Sequence, residues 1–193
     1  MKKLRFRIIG ESPLVMHNGR LADPLDSISR KMKEVSSKRK KVDADHEELA
    51  RLEWHGGLYL DEGRPCIPAE NLEAALSGKG GAARKEKMGK QAEAAMFLPG
   101  NALLEYEGPT DIDKLWADER FRLRVKVKVQ ANAVMRTRPI FREWAASFDV
   151  AFDADLVNEE DVGRWVKVAG EVVGIGDWRP RFGRFRVESV ELV

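Results

Sequence analysis

The chain has 193 residues, of which 43% are hydrophobic and 34% charged, and its net charge is only +2. That length suits one domain, residues 1–193, with insertions, and no apolar run approaches the roughly 18 residues that a membrane helix needs. A single cysteine, Cys66, and three histidines exclude an intramolecular disulfide, argue against zinc, leave no metal or cofactor expected, and suit a reducing cytoplasm.

Near-neutral overall charge means that affinity for a polyanion must come from charge distribution. That distribution is uneven. Eight bases and no acid lie between Arg120 and Arg142, and seven acids and no base between Glu143 and Asp161.

Residues 3–9 alternate charge and hydrophobe, which predicts a strand with Leu4, Phe6 and Ile8 on one face, not a secretory signal. Residues 10–20 read as a loop ending at Arg20, a candidate phosphate contact. Residues 26–54 are charged and helix-prone with sparse hydrophobes (Ile28, Met32, Val35, Leu49, Leu52), which predicts a projecting helical insertion. Its run Lys38-Arg-Lys-Lys41 is either a solvated face or a phosphate contact. Residues 56–67 read as a hairpin. Pro68 then opens a helix with Leu72, Ala75 and Leu76 inward, broken by Gly78, Gly80 and Gly81. Lys79, Arg84 and Lys85 belong to a basic loop ahead of the next helical stretch. It lacks the terminal Gly-Lys-Ser/Thr of a phosphate loop, and reads either as a phosphate contact at a helix start or as plain surface.

Residues 101–106 form a weak strand. Residues 121–129 form the clearest one, with Phe121, Leu123, Val125, Val127 and Val129 on one face and Arg122, Arg124, Lys126 and Lys128 on the other. Phe148, Val150 and Phe152 alternate similarly. Pairing of these two strands would set Asp149 and Asp153 against some of the bases, whereas Arg136, Arg138 and Arg142 in the connection have no such partner and are candidate nucleic-acid contacts. Asn158 caps a helix whose Glu159, Glu160 and Asp161 complement its dipole, and Val162, Trp165, Val166, Ala169, Val172 and Val173 repeat at core spacing.

The last connection, Gly174-Ile-Gly-Asp-Trp-Arg-Pro-Arg-Phe-Gly-Arg184, sets Gly174, Gly176 and Gly183 among arginines and aromatics. Arg179, Arg181 and Arg184 suit phosphates, and Trp178 or Phe182 suits an unstacked base. The alternative is a tight helix-to-strand turn with core aromatics. Stripped of insertions, the order is strand 3–9, helix 68–96, strand 121–129, strand 146–153, helix 158–173, strand 184–192. This is the βαββαβ order of an α+β, ferredoxin-like (RRM-like) fold.

The closing Gly-Ile-Gly-Asp-Trp-Arg-Pro-Arg-Phe-Gly-Arg-Phe resembles the glycine-rich loop of the RAMP superfamily, RNA-binding ferredoxin-like proteins of CRISPR effector complexes. Residues 64–76 resemble the segment that opens the first helix in their backbone subunits, with Ala69-Glu70-Asn71 standing where Gly-Ser-Ser is usual. The resemblance implies polymerisation along a guide RNA and a thumb-like hairpin between the central strands, at 130–144. It is compatible with a stand-alone, phage-encoded relative.

These readings converge on non-catalytic binding of single-stranded nucleic acid, RNA ahead of DNA, by a homo-oligomer or ribonucleoprotein subunit. An endoribonuclease acting through His17 or Asp23 is the alternative that the resemblance supplies, since some relatives cleave RNA with a histidine or a metal-bound aspartate after the first strand. A structural protein–protein module is the third reading.

Overall fold

The computed structural model describes residues 1–129 and 132–193. In chain order its elements are β1 (Lys2–Gly10), β2 (Leu14–Val15), α1 (Ser27–Ser36), α2 (Asp43–Gly57), β3 (Leu60–Asp61), β4 (Arg64–Ile67) and α3 (Ala69–Leu76). There follow α4 (Ala82–Lys85), α5 (Gly89–Ala95), β5 (Met96–Phe97), β6 (Ala102–Glu105), α6 (Ile112–Ala117), β7 (Arg122–Val129), β8 (Asn132–Phe141), β9 (Ala145–Phe152), α7 (Glu159–Val168) and β10 (Phe185–Leu192). None of these helices is long and apolar enough to cross a membrane. The residues group into two units: 1–14, 60–107 and 142–193 in the first, 15–59 and 108–141 in the second.

The first unit is built on a sheet of order β10-β1-β9-β6-β4-β3, with β5 also pairing β9. Within it, β10-β1-β9-β6 has the 4-1-3-2 arrangement of a ferredoxin-like fold, so the α+β class read from the sequence holds. Strand alternation buries Leu4, Phe6 and Ile8 of β1 with Phe148, Val150 and Phe152 of β9. Leu72, Ala75 and Leu76 of α3 and Val162, Trp165 and Val166 of α7 are buried as their helical spacing requires. Asn158 caps α7 by accepting from the Asp161 amide. The expected 68–96 helix is three short ones, α3 to α5, interrupted at the glycines of residues 78–81. Val172, expected in the core, is 46% exposed, because the last turn, Ala169–Val173, widens to a π-helix and rotates it outward.

One strand assignment is corrected. Residues 121–129 do form a strand, β7, but it pairs with β8 in the second unit, Leu123 opposite Arg138 and Val127 opposite Val134. The place between helix and β9 in the ferredoxin order is taken by the short β6, where Leu104 pairs with Ala146. Alternation reports one-sided burial but not the partner, and a strand adjacent in sequence is the less entropically costly partner to close upon. Asp149 therefore does not face the β7 bases. Its carboxylate accepts from Arg5 at 2.8 and 3.1 Å and from Lys3 at 3.4 Å, both on β1.

In the second unit the 26–54 insertion forms the pair α1 and α2. Asp26 caps α1 by accepting from the Ile28 and Ser29 amides. The unit's sheet has the order β2-β8-β7, so a hairpin lies between the central ferredoxin strands in sequence, spanning β7 and β8 rather than 130–144; Gln130 and Ala131 lie outside the described residues. Buried Glu53 of α2 anchors β8 by accepting from the Thr137 amide at 2.8 Å and from Arg136 Nη1 at 3.2 Å. Fully buried Trp54 donates Nε1 to the Phe121 carbonyl at 2.8 Å.

Candidate nucleic-acid interface

The glycine-rich loop belongs to the first unit, between α7 and β10. Gly174 ends the helical run at φ +73°, and Gly176 and Gly183 also have positive φ, +76° and +72°. The Ile175 amide donates to the Gly183 carbonyl at 3.0 Å and pinches the loop shut. A Cβ on Gly183 would overlap the Ile175 carbonyl oxygen, and one on Gly174 would lie 2.8 Å from the Phe182 carbonyl oxygen. Both glycines are thus required by conformation and by close backbone approach.

The pinch leaves Arg179, Arg181 and Arg184 exposed and Trp178 and Phe182 half-buried. The two rings sit 6.1 Å apart, and the Arg181 guanidinium lies 5.6 Å from the Phe182 centroid. Arg184 Nε donates to the Pro180 carbonyl at 2.8 Å, which orients that side chain along the loop. The turn after β1 supports the loop from below: Gly183 donates to the Pro13 carbonyl at 2.9 Å, Glu11 to the Arg184 carbonyl at 2.8 Å, and the Arg184 amide to Ser12 Oγ at 2.9 Å. Buried Trp144 donates Nε1 to the Ser12 carbonyl at 2.9 Å and packs edge-on against Phe185 at 6.4 Å. Phe185 is therefore core, while Trp178 and Phe182 retain accessible ring surface. The sequence reading missed Ser12 and Trp144 as supports, because both act through partners far away in the chain.

The basic loop of residues 77–90 also lies in the first unit. Lys79 and Lys85 are exposed. Arg84 is held by the Glu93 carboxylate and donates Nε to the Ser77 carbonyl at 3.2 Å. The following turn is tied down by Glu86, which accepts from Arg164 at 2.9 Å and from Trp165 Nε1 at 3.0 Å.

The described residues of β1 and β9 offer no stacking ring on the face opposite the core, although Phe97 of β5, opposite Ala151, is 46% exposed. RRM modules stack bases on sheet aromatics, but here that face of β1 carries Lys3, Arg5 and Arg7, and every aromatic of β1 and β9 is buried on the other side. Arg7 bonds Glu105 at 2.6 Å and Glu188 at 2.7 Å. Beside these pairs the Asp149 carboxyl is held below its ordinary range, chiefly by the Arg5 hydrogen bonds. The face is internally neutralised.

The remaining candidates are spread over other elements. Arg142, in the first unit, is exposed. In the second unit, Arg136 is paired with Glu53 and Arg138 is only 9% exposed, so both contribute to the packing of β8. Arg20 forms a 2.6 Å pair with Asp26. His17 is exposed, and its backbone carbonyl accepts from the Tyr59 hydroxyl at 2.8 Å. Asp23 Oδ1 accepts from the Leu25 amide at 2.8 Å in a local turn. Among the described residues no three His, Cys, Asp or Glu side chains gather into a metal-holding group. Burial pushes the Cys66 thiol up to about 11, leaving it protonated near neutrality.

Comparison with protein-family models and with curated proteins gives no match. Among solved structures, the chain is similar to one in a cryo-EM structure of the Type III-B Cmr-beta bound to cognate target RNA, with a TM-score of 0.58 and 12% sequence identity. The match covers 100% of this chain and 60% of that one. This chain therefore shares the α+β ferredoxin-like fold of a protein that is three-fifths matched by it.

Proposed function

We propose that this chain is a RAMP-type protein that binds single-stranded RNA without cleaving it, as a subunit that assembles along the strand in a ribonucleoprotein complex. The observation that carries this reading is the pinched loop of residues 174–184. Its glycines are dictated by the backbone of Ile175 and Phe182, and the pinch presents Arg179, Arg181 and Arg184 to solvent beside two partly accessible rings. Exposed guanidiniums supply phosphate contacts, and a half-buried ring supplies a stacking surface worth about 1–3 kcal/mol per base. The RNA-bound state of the structural neighbour supports RNA as the polymer. Lys79 and Lys85, exposed on the same unit, fit as further phosphate contacts.

The test is titration of labelled single-stranded RNA, with DNA in parallel, at several salt concentrations after nuclease treatment and a high-salt wash. The expected result is salt-sensitive binding of RNA. Replacing Arg179 and Arg181 together by alanine should flatten the log–log salt dependence by about 1.4, at about 0.7 per phosphate contact on a single strand. Unchanged affinity in that variant would remove the loop from the interface, and no binding at low salt would favour a structural, protein-binding role.

A further inference from the structure

Two depressions flank α2 in the second unit, and their charge is organised differently. In one, of about 900 Å³, Glu47, Glu48 and Glu119 share the lining with Arg51, Arg122 and Arg124. Two of its three bases are already paired, Arg51 with Asp113 at 2.8 Å and Arg122 with Glu119 at 3.2 Å, and the third, Arg124, also lines the other depression. The other, of about 790 Å³, is lined by Lys33 of α1, Lys41 and His46 around the start of α2, and Arg124 and Arg136 of the β-hairpin. Its one acid, Glu53, is committed to Arg136 and to the Thr137 amide. Among the described residues no carboxylate pairs with Lys33, Lys41 or Arg124. Arg39 and Lys40 stand exposed on the turn that carries Lys41.

Three elements distant in sequence thus bring unneutralised cations to one trough. Its floor is apolar, with Met32, Leu49, Val134 and a Met135 that is 50% exposed. Uncompensated cations held apart by the fold repel one another, so an anion with several charges in a row is the complementary occupant. Cations contributed by three elements favour a polymer of phosphates over a single ion, and the absence of Phe, Tyr and Trp among the described lining residues favours backbone contact over base stacking.

We infer that this groove between α1–α2 and β8 is a second nucleic-acid site, gripping the phosphodiester backbone through Lys33, Lys41 and Arg124 irrespective of sequence. It rests on the RNA-binding reading above, and explains why a 26–54 insertion so poor in hydrophobes is retained against a basic hairpin. Arg136 is excluded from the contact set because it serves Glu53.

The experiment uses the full chain and a long homopolymeric RNA. A Lys33→Gln/Lys41→Gln/Arg124→Gln variant should lower the salt slope by about 2, at about 0.7 for each of three contacts. A Glu47→Gln/Glu48→Gln variant of the neighbouring depression should retain the full slope. With the unsubstituted chain, a photo-crosslinking RNA should label the peptide containing Met135, which tests the groove without any change to the fold. An unchanged slope together with crosslinks confined to residues 174–184 would overturn the groove and leave the loop reading intact. Binding of polyglutamate in place of RNA would also overturn it, and no RNA binding by the unsubstituted chain would sink both.

Discussion

Gly183 and Ile175 close the glycine-rich loop on each other: the Ile175 amide donates to the Gly183 carbonyl, and no room is left at Gly183 for a methyl group beside the Ile175 carbonyl. With φ at +72° the position is also costly for any L side chain. Gly183→Ala should therefore destabilise the protein by more than about 2 kcal/mol, read as a lowered urea midpoint at unchanged m-value. A midpoint within error of the parent would mean that the loop relaxes freely and that its glycines do not shape the arginine display.

The Asp149 carboxylate gives a pH prediction with a definite sign. Its pKa in the folded state is lowered, first by hydrogen bonding to Arg5 and also by Lys3. The stabilisation is thus present above the unfolded carboxylate value of about 3.9, and is lost as pH falls through the lower folded value. Asp149→Asn should be less stable than the parent at pH 6, and the difference should shrink as pH falls below the ordinary carboxylate value of about 3.9. A constant difference across that range would assign the effect to packing instead of charge.

Glu53 links α2 to β8 through a buried carboxylate. Glu53→Ala leaves the Thr137 amide without its 2.8 Å acceptor and removes the partner of Arg136. The expected loss is about 1–3 kcal/mol, visible in thermal unfolding. Removing Arg136 as well should cost less than the sum of the two single changes, since the pair is already broken.

The residues after the first strand separate binding from cleavage. His17→Ala and Asp23→Ala should leave RNA length on a denaturing gel the same as with the parent chain, with magnesium or with chelator. Loss of a cleavage product in either variant would instead establish the nuclease reading. Asp26→Ala serves as the structural control: it removes the α1 cap and the Arg20 pair, at a cost of about 1 kcal/mol.

Much of the first unit was legible from periodicity. Alternation in residues 3–9 identified the buried Leu4, Phe6 and Ile8, and spacing in residues 158–173 identified Val162, Trp165 and Val166, because burial on one face writes itself directly into residue order. The pairing of β7 was not legible, since the same alternation serves any sheet and the strand closed on its neighbour β8. Nor was the fate of the arginines between Arg120 and Arg142. Arg136 looked unpartnered until α2 brought Glu53 to β8, Arg138 is buried at 9% exposure, and Arg124 gains no carboxylate from β9 because β7 pairs with β8 instead.

What this sequence determined by itself is the alternation of residues 3–9, 121–129 and 146–152, the helical spacing of residues 158–168, the glycines at Gly174 and Gly183, and Arg179 and Arg181 between them. These follow from local sterics and from side-chain periodicity, which need only near neighbours. Which cations remain unpaired was decided by tertiary structure alone. A charge is neutralised by whatever carboxylate the fold carries to within a few ångströms of it, and for Arg5, Arg7 and Arg136 that partner lies 144, 98 and 83 positions away in the chain.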